Sequence, residues 1–352
     1  MKRLALAVFM ALTALVALSA FGQNPPPNPQ KFGENIDVNL VVLDAVVTDS
    51  RGRQILGLDK NNFVVKENGV VQPVESVEYF TNRTLLNSTE ENAPFQVERT
   101  HDERYYIFFF DKPEEGRLWD RLARARSGAK DFVNAMKPGD RIAVVAHDVR
   151  LKVYSDFTND KAQLIHALDE VAGNGRGLTN GDGPMMKAIN SDRMMSATGT
   201  PYQALDLVAN AVRGIRGRKD LILFSPGIVD NSQQIANGMV MNESRYYEPM
   251  IESLNAANVT VHALNIQEDF TSLPFVHQTL EQTAAATNGE YYRDVITFGP
   301  LLKRIEQQTN GYYVITYYAH HPRGSSGFQK VKVSLTNPEM RVKARTGYSY
   351  GG

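Results

Sequence analysis

From residue 104 onward the chain alternates between short apolar runs and longer segments with an apolar stripe. The runs at 104–110, 141–147, 150–155, 219–224 and 259–265 are apolar almost throughout, the pattern of strands covered on both faces. Between and after them, 117–136, 160–171, 201–216, 240–256, 275–287 and 299–308 carry apolar residues at helical spacing. In the first of these the stripe is Leu118, Leu122, Ala125, Ala129, Phe132 and Val133. Asn159-Asp160 supplies an N-cap for the second. Alternation of this kind predicts an α/β fold with a doubly wound, mostly parallel sheet over residues 103–309.

The flanks change to a period of two. In NIDVNLVVLDAVVTDSRGRQILGL the apolar weight runs on to Val47 and stops at the turn Asp49–Gly52. NNFVVKENGVVQPVESVEYF reads as a hairpin turning on Asn68-Gly69. After residue 310, GYYVITYYA, GFQKVKVSLT and MRVKARTGYSY alternate again, with turns at Arg323–Ser326 and Asn337-Pro338. Neither flank has enough strands to bury a face alone. Residues 35–80 and 310–350 are therefore expected to combine as one small β-sandwich with the α/β domain inserted between them. Residues 81–102 are polar and unpatterned, a linker.

Residues 1–22 have Lys2 and Arg3, an apolar run and small residues near Ala20 and Gly22, the layout of a signal peptide cleaved near Gly22-Gln23. Residues 23–34, with NPPPNPQ, are a Pro-rich linker. The expectation is export to the periplasm, cell surface or exterior, with no stable membrane span after cleavage. Cys is absent from all 352 residues. Lipid attachment at a processed cysteine, disulfide staples, a thiol nucleophile and thiolate metal sites are all excluded, so stability must come from burial. A formal net charge of −1 gives no field that selects nucleic acid or an anionic membrane.

Candidate chemistry collects at strand ends. YYIFFFDKPEEG stops abruptly at Asp111, and LILFSPG ends at Ser225. In an open α/β sheet the ligand crevice lies beyond the carboxyl ends of the strands, where strand order reverses. Thr200 sits just before the helix that leads into LILFS.

The Asp-ended strand, the Gly-Thr before a helix and GRKDLILFSPG resemble a von Willebrand factor type A domain. The flanking phrases VNLVVLDAVVTDSRGRQILGLDKNNFVVKENG and YYVITYYA…FQKVKVSLTNPEMRVKARTGY narrow the resemblance to the VWFA-related family of secreted bacterial proteins, over about residues 36–349. Type A domains often hold a divalent cation in a metal-ion-dependent adhesion site, whose first loop reads Asp-x-Ser-x-Ser. A Thr and an Asp from two further loops complete the set of hard oxygen ligands. The resemblance places Asp111 at the first Asp and Thr200 at the Thr, with Thr198 and Thr179 as alternatives. The two Ser positions fall on Pro113 and Glu115, and the third-loop Asp position on Pro226. Prolines offer no side-chain oxygen, so the metal loop is degenerate. Mg2+ or Mn2+ would bind only if Asp111, Glu115 and Thr200 suffice, and no other cofactor is expected. Lys112, Glu114, Thr179, Ser225 and Asp230 complete the binding loops.

Other signals are weaker. GNGRGLTNGDG at 173–183 is Gly-rich but lacks the terminal Lys-Ser/Thr of a phosphate loop. Residues 173–199 read as a long loop whose Met185, Met186, Met194 and Met195 form either an adaptable contact surface or a lid filling gaps above the sheet. His320-His321 reads as a solvated turn, and no GxSxG accompanies His147. The Tyr and Phe pairs of the strands are core residues or, alternatively, a saccharide-stacking platform. The expected function is a secreted, non-enzymatic interaction module binding a protein or extracellular polymer. The alternatives are a secreted hydrolase using Asp111 with Glu114 or Glu115, and a structural envelope component.

Overall fold

The computed structural model describes residues 36–81, 97–98, 103–112, 118–173, 175–189, 191–196, 198–228, 235–236, 239–240, 245–267, 274–293, 295–309 and 311–351. The expected signal peptide and Pro-rich linker lie outside them.

The N-terminal flank forms β1 (Ile36–Thr48), β2 (Phe63–Glu67), β3 (Val70–Gln72), β4 (Ser76–Thr81) and the two-residue β5 (Val97–Glu98). β2 and β3 turn on Asn68 and Gly69, both at positive φ (47° and 87°), the requirement of a two-residue hairpin loop. The α/β segment contains β6 (Arg104–Asp111), α1 (Trp119–Ala135), β7 (Asp140–His147), β8 (Leu151–Thr158) and α2 (Lys161–Ala172). It continues through α3 (Pro184–Ala188), α4 (Ser191–Ser196), α5 (Pro201–Val212), β9 (Lys219–Ser225) and the small ladder of β10 (Ile235–Ala236) with β11 (Met239–Val240). It closes with α6 (Tyr247–Ala256), β12 (Val259–Asn265), α7 (Pro274–Ala286), β13 (Tyr291–Tyr292) and α8 (Phe298–Gln308). The C-terminal flank is β14 (Gly311–Pro322), β15 (Gly327–Leu335), β16 (Arg341–Ala344) and β17 (Gly347–Tyr350).

Each of the two flanking sheets, antiparallel apart from the β4–β5 pair, draws strands from both flanks. One has the order β16-β1-β14-β4-β5 and the other β17-β15-β2-β3. β1 pairs with β14 from Ile36↔Pro322 to Ala45↔Tyr313, and β2 pairs with β15. Val41, Leu43, Ala45, Tyr313, Ile315 and Tyr317 from the first sheet share a core with Phe63, Val65 and Val331 from the second. Two hydroxyls, of Tyr317 and Tyr348, donate to one oxygen of Glu67 at 2.7 and 2.8 Å and tie the sheets together. Val97–Glu98, inside the expected linker, pairs with β4.

The α/β sheet has the order β13-β12-β9-β6-β7-β8, parallel except for the edge strand β8. Side chains of β6 alternate between its faces. Ile107 and Phe109 pack toward α5 and α6, while Tyr106, Phe108 and Phe110 pack toward α1 and α8. Phe110 stacks on Phe224 of β9 with centroids 4.6 Å apart.

Three local expectations are corrected. Residues 173–199 are not one loop, because α3 and α4 form there against β8. Asp156 on β8 accepts from the Met185 and Met186 amides (3.3 and 2.8 Å). Gly183 leaves room for that carboxylate, which a Cβ would approach to 2.2 Å. Met185, Met186 and Met194 are buried in the core and are not a contact surface; the Met195 side chain lies outside the described residues. The Gly-rich stretch runs along the β8 edge, with the Leu178 amide donating to the Val153 carbonyl at 2.6 Å, which covers unpaired backbone. His321 is not a solvated turn residue: it is buried on β14, stacked on Tyr350 at 3.7 Å and 3.0 Å from the Tyr348 hydroxyl.

A buried polar layer joins the sandwich to the amino ends of the parallel strands. Asp44 of β1 accepts from Asn258 Nδ2 (2.7 Å) and Arg345 Nη2 (3.3 Å), and Arg345 also donates to the Asn255 carbonyl (2.9 Å) and to Asn258 Oδ1. Next to it, Arg218 Nη2 holds Asp220 at 2.8 Å and His262 lies 3.3 Å from the same carboxylate.

Candidate functional site at the carboxyl strand ends

Strand order brings three side chains together. β6 lies between β9 and β7, with Phe110 level with Phe224 and Asp111 level with His147. The next residue of β9 is Ser225, so Ser225, Asp111 and His147 end three adjacent strands. Ser225 Oγ donates to Asp111 Oδ2 at 2.6 Å and accepts from the Gly227 amide at 3.0 Å. His147 Nδ1 stands 3.6 Å from Asp111 Oδ1. On its far side, His147 Nε2 is 3.0 Å from the Thr198 carbonyl, which can only accept, so Nε2 carries the proton. Thr198 Oγ1 in turn accepts from the Leu151 amide (2.9 Å) and donates to the Met194 carbonyl. Exposure is 5 % for Asp111, 4 % for His147 and 0 % for Ser225 and Thr198, so the chain of polar contacts lies beneath the surface.

Thr200 is the N-cap of α5, its hydroxyl accepting from the Gln203 amide at 3.3 Å. Lys112 turns away from Asp111: its Nζ donates to the Gly173 carbonyl at 3.3 Å and lies 3.7 Å from Asp148. Burial pulls the Lys112 pKa below its ordinary value, while Asp148 opposes that shift. Thr179 is exposed on the Gly-rich segment that follows α2. Pro113, Glu114, Glu115 and Asp230 lie outside the described residues.

Of the ligand set that the type A resemblance implies, Asp111 and Thr200 fall among the described residues and Glu115 does not. Asp111 is the one carboxylate of the cluster among the described residues. A hydroxyl proton engages one of its oxygens, and an imidazole faces the other. No group of three His, Asp or Glu among the described residues is placed to hold a metal ion. The Ser225 proton points to Asp111 and not to His147. Sequence reasoning named Asp111, Ser225 and, as an alternative to Thr200, Thr198, but gave His147 no part in the cluster. The available signal was that AVVAH and YIFFFD both end on polar residues, which become neighbours once their strands are adjacent.

No protein-family model matches the chain, and no curated protein is similar to it. Solved structures similar to it include a von Willebrand factor type A protein from Catenulispora acidiphila, 12 % identical, covering 90 % of this chain and 75 % of that one with a TM-score of 0.41. An aerotolerance-related membrane protein from Bacteroides fragilis is 14 % identical over 58 % of this chain and 98 % of its own, with a TM-score of 0.39. The vWF domain of the pilus-tip protein Mfa5 from Porphyromonas gingivalis is 13 % identical over 58 % and 95 %, with a TM-score of 0.37. The type A resemblance holds at the level of the fold, which rests on the observed sheet: six strands, one antiparallel edge, helices on both faces. No helix among the described residues is long and apolar enough to cross a membrane.

Proposed function

We propose that the chain is an exported, non-enzymatic interaction module. It binds a protein or an extracellular polymer through the loops beyond β6, β7 and β9, with no divalent cation between the partners. One observation supports this above the others: the contacts from Ser225 through Asp111 and His147 to Thr198 tie the ends of β9, β6 and β7 and the Thr198 segment to one another below the surface. A polar network of this kind holds the strand ends in one arrangement. The rim it supports is suited to presenting a shape.

Calorimetric titration of the mature protein with Mg2+ and with Mn2+ tests the cation element. The expected result is no heat that depends on Asp111, and a saturable signal abolished by Asp111→Ala would overturn it. A screen against glycans and peptides tests the rest. Saturable binding without turnover is expected, whereas turnover lost in Glu115→Gln would establish the hydrolase alternative. Absence of any saturable ligand would leave a structural envelope component.

A further inference from the structure

A second site lies at the tip of the β14–β15 hairpin, at the end of β14 that points away from α8. Asn39 of β1 lies opposite Ala319 of β14, which makes Asn39 and His321 diagonal neighbours on the face that meets the second sheet. Between these two residues and the hairpin turn opens a hollow of about 240 Å3, whose lining also includes Pro322, Ser325, Ser326 and Gly351. The turn is tied to itself, since the Ser325 amide and hydroxyl both donate to the Pro322 carbonyl, at 3.0 and 2.6 Å. A Cβ on Gly351 would come 2.4 Å from the Ser325 carbonyl oxygen, so glycine is what lets the two segments meet.

Proton order decides what His321 presents there. The Glu67 carboxylate takes the protons of both Tyr317 and Tyr348. Burial first, and then that carboxylate, raise both phenol pKa values, so the hydroxyls keep their protons. With its one proton given to Glu67, the Tyr348 oxygen accepts from His321 Nε2 at 3.0 Å. In the neutral ring Nδ1 is then a bare acceptor. It has no partner among the described residues, although His321 is only 3 % exposed, and the hollow is the space the residue borders. Stacking on Tyr350, with centroids 3.7 Å apart, fixes the plane of the ring.

Two further groups converge on the same space. The Asn39 amide and the Ser326 hydroxyl have no partner among the described residues, and both residues are exposed. The described lining carries no charge, which leaves recognition to hydrogen bonds. An acceptor, an amide and a hydroxyl set close together suit a ligand whose adjacent groups each donate and accept. The hollow is smaller than the roughly 300–1,000 Å3 of pockets that enclose drug-sized ligands, which is the scale of a single ring.

We propose that this hollow binds one uncharged sugar unit of a saccharide, with a ring hydroxyl donating to His321 Nδ1 and neighbouring hydroxyls engaging Asn39 and Ser326. The site is separate from the rim at the carboxyl strand ends.

Titration of the mature protein with glucose, galactose, mannose and N-acetylglucosamine, followed at the imidazole nitrogens by 1H–15N correlation spectra, provides the test. The free protein should show His321 protonated at Nε2, and at least one sugar should shift its Nδ1 resonance to saturation. His321→Phe keeps a ring against Tyr350 but removes the acceptor, and lowers affinity for that sugar tenfold or more in calorimetry. Ser326→Trp fills the hollow from an exposed turn position and has the same effect, which keeps the test open if His321→Phe does not fold. Asp111→Ala at the rim leaves the affinity unchanged. A proton on Nδ1 in the free protein, no saturable shift with any of the four sugars, or full affinity in Ser326→Trp would each overturn the proposal. Binding lost in Asp111→Ala and kept in Ser326→Trp would assign the sugar to the rim instead.

Discussion

Lys219 opens β9 with 1 % of its surface exposed, its Nζ donating to the Ile215 carbonyl at 2.7 Å. Burial pushes its pKa from 10.5 down to about 8; the Arg345 guanidinium adds to the effect and Asp44 opposes it. At about 1.4 kcal/mol per pH unit, that distance corresponds to about 3 kcal/mol held against folding whenever Lys219 is charged in both states. The sign follows from proton counting. Below pH 8 folded and unfolded chains both hold the proton, and the penalty is complete. Between about 8 and 10.5 the unfolded chain holds a proton the folded chain has lost, so this group makes stability rise with pH; above 10.5 its effect is gone. Lys219→Met removes the charge and also the hydrogen bond to Ile215, worth about 1 kcal/mol. The variant should therefore be about 2 kcal/mol more stable at pH 7. Urea unfolding of both proteins in steps from pH 7 to 10.5 measures the difference, which should shrink above pH 8 and end slightly in favour of Lys219. A difference that stays flat across this range, or a variant less stable at pH 7, would refute the reasoning.

Three further outcomes follow from the packing. Asp44→Asn strands the buried Arg345 guanidinium among neutral acceptors and should cost about 3 kcal/mol by denaturant midpoint, with part of it recovered when Arg345→Met is added. Gly289→Ala would set a Cβ 1.8 Å from the Val261 carbonyl oxygen. About 3 kcal/mol of destabilisation is expected, read as a lowered Tm. Ser225→Ala deprives Asp111 of its hydroxyl donor and the Gly227 amide of its acceptor, so a loss of about 2 kcal/mol in urea is expected.

The α/β sheet was legible because its strands are apolar on both faces. β6 holds Tyr106 to Phe110 buried without a break, and no solvated face interrupts the run. The antiparallel turn from β7 to β8 could also have been read: three residues separate His147 from Leu151, too few for a parallel crossover. The helices α3 and α4, of five and six residues, were not legible. Neither is long enough to display a period, and α3 depends on a carboxylate from β8. His321 misled because its partners, Tyr348 and Tyr350, are distant in sequence. At the site, Asp111 and Ser225 stood out as polar ends of apolar runs. The contact between Asp111 and His147 depends on which strands are neighbours and in what register, information that no local pattern carries.

The pairing of β1 with β14 sets a timetable for the nascent chain. Val42 waits for Thr316, about 270 residues later, before its ladder exists. At roughly 5–20 residues per second that wait is on the order of 15–50 s. Throughout it Val38, Leu40, Val41, Val42 and Leu43 form a sticky, unclaimed strand at the leading end. A holding chaperone should therefore be needed early in synthesis, and a ribosome that stalls before Gly311 should yield a product prone to clumping.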